Sequence, residues 1–102
     1  MIVHVKSYDE FKSYIESSKC FVDFFATWCG PCKMLSPVIE DMDNAGAFGD
    51  VKVLKVDVDE CGDIARDYRI QAVPTLMFFK DGKVANTAMG YKNENEILEF
   101  IK

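Results

Sequence analysis

The sequence predicts an α/β fold, in which a mixed sheet of five strands lies between four helices. The 102 residues suffice for a single domain over positions 1–102, and their 49% hydrophobic and 28% charged content is that of a globular protein. Short apolar runs alternate with segments of helical spacing, and strands separated by helices are expected to be parallel. A two-residue turn near the end of the chain adds an antiparallel pair, which makes the sheet mixed.

The first half of the chain predicts two strands and two helices. The β-branched residues 2–5 indicate the first strand, and Ser7 and Glu10 have the spacing of a capping box that opens a helix. The apolar run 20–26 is typical of a strand covered on both faces. Pro31 then falls in the first turn of a helix, where its missing N–H costs little. Helical spacing continues through Met34, Leu35, Val38, Ile39 and Met42.

The second half predicts three strands and two helices. Residues 51–58 and Thr75–Lys80 read as strands, and residues 63–68 between them as a short helix. Asp81 and Gly82 form a two-residue hairpin turn into Lys83–Met89. The last helix is capped by Asn93 and Glu96. The predicted order is therefore β-α-β-α-β-α-β-β-α.

Charge and hydropathy patterning exclude several classes of protein. The net charge of -5 argues against nucleic acid or an acidic membrane surface as a partner, because either favours a basic face. The N-terminal residues show no basic region followed by an apolar run, so no signal peptide is predicted. No apolar stretch approaches the ~20 residues of a membrane span. We expect a monomeric, cytoplasmic protein that binds neither nucleic acid nor membrane.

The spacing of two cysteines indicates redox chemistry. The chain has four cysteines, Cys20, Cys29, Cys32 and Cys61. Cys29 and Cys32 lie where an apolar strand ends and a helix begins, and the unpaired N–H groups and dipole of a helix N-terminus favour a thiolate there. Residues three apart on a helix have Cβ atoms ~5–6 Å apart, so a small shift of the Gly30–Pro31 turn reaches disulfide distance. The pair is therefore predicted to switch between dithiol and disulfide.

The two thiols are expected to differ in role. Cys29, at the exposed tip of the helix, is predicted to be the nucleophile. Cys32, one turn further in and more buried, is predicted to attack the mixed disulfide and release the reduced substrate.

Two other interpretations of the cysteine pair remain open. A zinc site needs four ligands, and only His4, Cys20 and Cys61 are available beside the pair, so no metal is expected. A purely structural disulfide would close a very short loop and add little stability in the chain-entropy model.

Four segments resemble the thioredoxin family in the family's own order. Residues 22–33 resemble its active-site segment, and residues 55–59 resemble its third strand. Residues 73–75 resemble its cis-proline loop, and Gly90 matches its late glycine. The resemblance covers nearly the whole chain and implies the thioredoxin fold, a mixed five-stranded sheet flanked by four helices.

The resemblance also implies an activity. Members of the family reduce protein disulfides and are recycled by thioredoxin reductase, which uses NADPH, so no cofactor is expected to be bound to this chain. Implied substrates are ribonucleotide reductase, peroxiredoxin and methionine sulfoxide reductase. Gly30 and Pro31 between the cysteines are similar to the reducing members, whereas isomerases usually carry Gly-His there. Separate alternatives are an oxidase or isomerase, a binding or scaffold subunit, and a zinc module.

Two charged residues are candidates for assisting the cysteines. Asp23 interrupts an apolar strand, and burial would raise the pKa of its carboxyl, which could then accept the proton of Cys32. The alternative is a carboxylate at a solvated edge. The resemblance places the Lys55 ammonium near Asp23, where it would modulate that pKa; the alternative is a surface lysine.

The expected substrate contacts are Trp28, Gly30, Pro31, Val73, Pro74 and Gly90. An exposed Trp28 would offer an apolar surface, although a core aromatic is the alternative. The resemblance implies a cis bond before Pro74, with the Val73 backbone free to bond an extended substrate. Gly90 would allow close backbone approach in the same groove, against an ordinary strand-end glycine.

Three residues depart from the family pattern or lie outside its motif. Phe25 stands where many bacterial members have a second Trp. Cys20 and Cys61 are expected to be small buried apolar residues, with a regulatory or dimer-forming thiol left open for Cys61.

Overall fold

Strands and helices alternate in the predicted order along residues Met1–Lys102, all of which the computed structural model describes. The strands are β1 (Ile2–His4), β2 (Cys20–Phe25), β3 (Lys52–Asp57), β4 (Thr75–Lys80) and β5 (Lys83–Met89). The helices are α1 (Tyr8–Ser17), α2 (Gly30–Asn44), α3 (Gly62–Asp67) and α4 (Glu94–Phe100). Each helix falls short of the length and apolar character that crossing a bilayer requires.

The five strands form one mixed sheet in the order β1-β3-β2-β4-β5. β3 pairs in parallel with β1 and with β2, whereas β4 is antiparallel to both β2 and β5. β2 is therefore the central strand, and five of its six residues are buried. In its register, Asp23 lies between Lys55 on β3 and Leu76 on β4. The chain leaves the C-terminal end of this central strand to enter α2.

Helices cover both faces of the sheet, which confirms the predicted layers. One apolar cluster joins α1 and α3 to the sheet, through Phe11, Ile15, Ile64, Phe24, Val56 and Phe79. A second cluster joins α2 and α4 to the other face, through Leu35, Ile39, Ile97, Phe100, Phe21 and Val53. Because alternate residues of a strand face opposite sides, Asp23 and Lys55 share the face covered by α2.

Local sequence signals account for the turns and helix starts. Asp81 and Gly82 have φ of 54° and 78°, as the predicted hairpin turn requires. Asn93 and Glu96 form a complete capping box at α4. The box predicted at α1 is only half formed, because the Ser7 hydroxyl accepts from the Glu10 N–H while the Glu10 carboxylate accepts from Lys6 N–H instead.

Candidate active site

A disulfide joins Cys29 and Cys32 at the N-terminus of α2, with 5.3 Å between their Cα atoms. Cys29 is the N-cap residue, and its Sγ accepts the Cys32 N–H at 3.2 Å. Pro31 occupies the first turn, where no N–H is needed. The predicted proximity of the pair is confirmed, and the sequence folds this way because an apolar strand ends just before a helix that begins with Gly-Pro.

The electrostatics of the helix start favour a thiolate at Cys29. The free N–H groups of the first turn carry partial positive charge, and one of them is already directed at this sulfur. No acidic residue lies in the first turn of α2, so no carboxylate of that turn opposes the negative charge. The site can therefore stabilise the attacking form of a thiol.

The predicted contrast in exposure between the two cysteines is wrong for this disulfide form. Cys29 is 5% exposed and Cys32 3% exposed, so both are buried. The reason is local packing: the pair forms a small apolar cluster with Ala26, and Val73 packs against it. The sulfurs differ in their neighbours instead, since Cys29 Sγ lies 3.5 Å from the Val73 carbonyl oxygen whereas Cys32 lines a cleft with Lys55.

Asp23 is fully buried on the central strand, at 0% exposure, so the solvated-edge alternative is wrong. Neither carboxylate oxygen has a hydrogen-bond partner. Loss of hydration raises the pKa of Asp23 from 3.8 to about 6, and the nearby Lys55 charge offsets part of that rise. A carboxylate that is buried without a hydrogen bond is costly, so it points to a chemical role rather than to packing.

Lys55 is also buried, at 8% exposure, and the surface-lysine alternative is wrong. Its Nζ lies 3.8 Å from Asp23 Oδ2, which confirms the expected proximity. The same ammonium donates to Ser36 Oγ at 2.8 Å and lies 4.6 Å from the centroid of the Phe25 ring. Lys55 and Cys32 line one cleft of roughly 300 Å³, so the ammonium that pairs with Asp23 shares this cleft with the second cysteine.

Trp28 presents its indole to solvent beside the disulfide. The residue is 68% exposed, which rules out the core-aromatic alternative. Its Nε1 donates to Asp59 Oδ2 at 3.0 Å, so the exposed ring is held in one orientation. Gly30 and Pro31 are exposed as well. The surface next to the cysteines is therefore apolar and accessible.

The loop before β4 packs against the cysteine pair through Val73. The Val73–Pro74 bond is cis, Pro74 is buried and Val73 is half-buried. Gly90 donates its N–H to the Pro74 carbonyl oxygen at 2.8 Å and has a φ of +92°, which favours glycine. A Cβ on Gly90 would meet no atom within 4 Å, so the backbone angle, not close packing within this chain, requires glycine there.

The other two cysteines are free and buried, as expected for small apolar residues. Burial raises the pKa of Cys20 to about 11 and also raises the pKa of Cys61. The Cys61 Sγ lies 3.5 Å from the Val5 carbonyl oxygen, inside the protein, which argues against a surface thiol there. No three His, Cys, Asp or Glu side chains converge in the manner of a metal site.

Two polar contacts of the site were not found from the sequence. Ser36 bonds the Lys55 ammonium and Asp59 bonds the Trp28 indole. Ser36 carried a usable signal, because it follows Cys32 by four residues and so shares its face of the helix. Asp59 carried none, because its contact with Trp28 spans 31 residues of sequence.

Comparison with known proteins matches this chain along its full fold. The thioredoxin family model matches residues 2–102. A thioredoxin of Chlamydia trachomatis is 41% identical over 98% of this chain and 96% of its own length. The crystal structure of a Malassezia sympodialis thioredoxin superimposes with a TM-score of 0.88 at 39% identity, covering 97% of this chain and 89% of that one. Another similar chain comes from a structure that describes the thiol resolving mechanism in yeast mitochondrial 1-Cys peroxiredoxin via glutathione and thioredoxin systems. It superimposes with a TM-score of 0.86 at 34% identity, covering 97% of this chain and 92% of that one.

Proposed function

This chain belongs to the thioredoxin family and is a thiol–disulfide oxidoreductase acting on protein disulfides, and we propose that Cys29 is its nucleophile and Cys32 its resolving thiol. The observation that carries the assignment is the disulfide at the start of α2, with the Cys32 N–H directed at Cys29 Sγ. The redox-active group is this cysteine pair, and the family has no bound cofactor.

The proposed reaction transfers two electrons from the cysteine pair to a substrate disulfide. The Cys29 thiolate attacks one substrate sulfur, forming a mixed disulfide and releasing the other substrate sulfur as a thiolate. The Cys32 thiol then loses its proton and attacks Cys29 Sγ. This second step breaks the mixed disulfide, releases the second substrate thiolate and leaves the Cys29–Cys32 disulfide.

The different surroundings of the two sulfurs support these roles. Cys29 is the N-cap and receives a backbone N–H, so its thiolate is stabilised without a general base. Cys32 lies inside the first turn and lines the cleft that also contains Lys55. We propose that it depends on a neighbouring group to remove its proton before it can attack.

Asp23 is proposed to accept that proton. A carboxylate whose pKa lies at about 6 is a stronger base than an ordinary one at 3.8, yet it is still mostly ionised at neutral pH. Both of its oxygens are free of hydrogen bonds, so either can take a proton. Lys55 is proposed to modulate this basicity, because its charge 3.8 Å away favours the ionised carboxylate.

The substrate is proposed to lie as an extended segment across the disulfide. The Val73 N–H makes no hydrogen bond within the chain, so it can donate to a substrate carbonyl, as in strand addition. Pro74 and Gly90 support this loop through the hydrogen bond between them. Trp28, with the exposed Gly30–Pro31 turn, offers the apolar contact on the other side.

The partners and location are proposals that follow from the family. We propose thioredoxin reductase, using NADPH, as the recycling partner. Peroxiredoxin is supported as a substrate by the structural neighbour from the yeast peroxiredoxin system, and ribonucleotide reductase and methionine sulfoxide reductase are proposed with it. The free thiols of Cys20 and Cys61 suit a reducing compartment, so we propose a cytoplasmic location. We also propose that the chain acts as a monomer.

The test compares how fast the reduced protein cleaves a disulfide in a test protein with the rates of two variants. Cys29→Ser should abolish cleavage, whereas Cys32→Ser should cleave once and accumulate a stable mixed disulfide visible by mass spectrometry. Cys61→Ala is the matched control, since it removes a thiol outside the pair. A Cys29→Ser variant that retains the normal rate would overturn the assignment, and negligible rates for the unchanged protein would favour a scaffold role.

A further inference from the structure

Two polar side chains lie near the Lys55 ammonium beneath α2. It donates to Ser36 Oγ at 2.8 Å, which is a good hydrogen bond. Its distance to Asp23 Oδ2 is 3.8 Å, which is too long for one. The ammonium is therefore bonded to the neutral hydroxyl although a charged carboxylate lies just beyond it.

The Ser36 hydroxyl is available for this contact because it does not bond to its own helix. Serine hydroxyls on helices commonly donate to a carbonyl three or four residues earlier, and Ser17 on α1 does so to Ser13 at 2.8 Å. Ser36 makes no such bond, and its one hydrogen bond is the one it accepts from Lys55. It follows Cys32 by one helical turn and lines the same cleft.

We propose that the Ser36 hydroxyl is a positioning group that holds the Lys55 ammonium off Asp23 and so keeps the buried carboxylate free to accept the proton of Cys32. Its catalytic consequence rests on the proposed function, whereas the placement of the ammonium does not. A direct bond from the ammonium would give the ionised carboxylate of Asp23 a charge-assisted hydrogen bond that its protonated form lacks, which would stabilise the ionised form and weaken it as a base.

Among the groups that face Asp23, Lys55 is the one whose charge affects the pKa of the Asp23 carboxyl. On β3, Lys55 is its register partner, and Asp57 at the end of that strand is turned to the N–H groups of the following loop. On β4 the partner is apolar Leu76. α2 contributes Cys32 and the exposed Lys33 to the cleft, and the buried residues of α4 are apolar. Lys55 is also the one charged group that alters the pKa of Asp23.

The experiment measures the pKa of Asp23 by carbon NMR of its carboxyl in the oxidised protein. In Ser36→Ala the ammonium loses its acceptor and should turn to Asp23, lowering the pKa of that carboxyl by about one unit. The midpoint of the pH profile for mixed-disulfide resolution should move down by the same amount. A role in helix packing alone would move neither quantity.

An isosteric pair of variants isolates the hydroxyl. Ser36→Thr keeps the hydroxyl and should keep the pKa of Asp23, whereas Ser36→Val has the shape of Thr without the hydroxyl and should reproduce the fall. Ser17→Ala is the control for losing a helix hydroxyl elsewhere. In a Lys55→Met background, Ser36→Ala should leave the pKa of Asp23 where Lys55→Met alone puts it, because no ammonium is then left to move.

The outcomes separate this inference from the proposed function. An unchanged or raised pKa of Asp23 in both Ser36→Ala and Ser36→Val would overturn it, because the ammonium would then have stayed in place or withdrawn to solvent. The NMR measurement uses the disulfide form and needs no turnover. If the roles of Cys29 and Cys32 fail in the cleavage test, the pKa result therefore still decides the role of Ser36.

Discussion

The buried carboxylate of Asp23 should make the stability of the oxidised protein depend on pH, and Asp23→Asn should remove that dependence. The folded-state pKa of Asp23 is raised from 3.8 to about 6 because the group is desolvated. The folded protein therefore holds the Asp23 proton more tightly than the unfolded chain does. Stability from this residue is fully present below pH 3.8, falls as the pH rises towards 6, and stays low above that.

The size of the effect follows from the two pKa values. One unit of difference corresponds to 1.36 kcal/mol, so the difference between 3.8 and about 6 corresponds to about 3 kcal/mol. Solvent does not screen this free-energy difference, since Asp23 is 0% exposed. The free energy of unfolding should thus fall by about 3 kcal/mol more between pH 3.5 and pH 8 in the unchanged protein than in Asp23→Asn.

Urea unfolding of both proteins at the two pH values measures this difference. Comparing each protein with itself removes the pH-independent cost of placing an amide beside Lys55. Asp50→Asn is the control, because its carboxylate is 80% exposed and it should keep the pH dependence of the unchanged protein. If Asp23→Asn and the unchanged protein lose the same free energy between the two pH values, the argument from desolvation is refuted.

Three further predictions concern packing, substrate binding and capping. Phe11→Ala should lower the free energy of unfolding by about 4 kcal/mol, measured by urea unfolding, because Phe11 is fully buried and in contact with four other aromatic rings. Trp28→Ala should lower kcat/KM for a protein disulfide about tenfold by raising KM, with Trp28→Phe less affected and the resolution step unchanged in stopped-flow traces. Asn93→Ala should lower the free energy of unfolding by about 1 kcal/mol, because the N-cap of α4 loses its side-chain bond.

The fold was predictable because its signals are local. The Asp81–Gly82 turn, the cap at Asn93 and the nearly continuous apolar run of the central strand each place an element within one residue of its observed bounds. The half-formed box at α1 shows the limit of such signals. Glu10 has the required spacing from Ser7, but its carboxylate also reaches the Lys6 N–H, and spacing alone does not say which N–H it bonds.

The features of the site were likewise predictable where their signal is local and missed where they depend on a distant segment of the chain. Asp23 was found because a carboxylate within an apolar run is anomalous in the sequence itself, and the resemblance supplied Lys55 as its neighbour. The equal burial of Cys29 and Cys32 was missed because it depends on Val73, which a separate loop brings against the pair.

The hydroxyl that holds Lys55 was missed for a different reason. A single serine on a helix is ordinary until a buried ammonium is known to lie beneath it, and that ammonium comes from β3. The basicity of Asp23 is therefore set by three contributions that come together only in the folded protein. These are the loss of hydration on the central strand, the positive charge of Lys55 on the neighbouring strand, and the Ser36 hydroxyl of α2, which draws this charge away. Sequence motifs identify the groups that react, whereas the competition among their neighbours, which sets how strongly they react, is decided by distances such as 2.8 Å and 3.8 Å around one nitrogen atom.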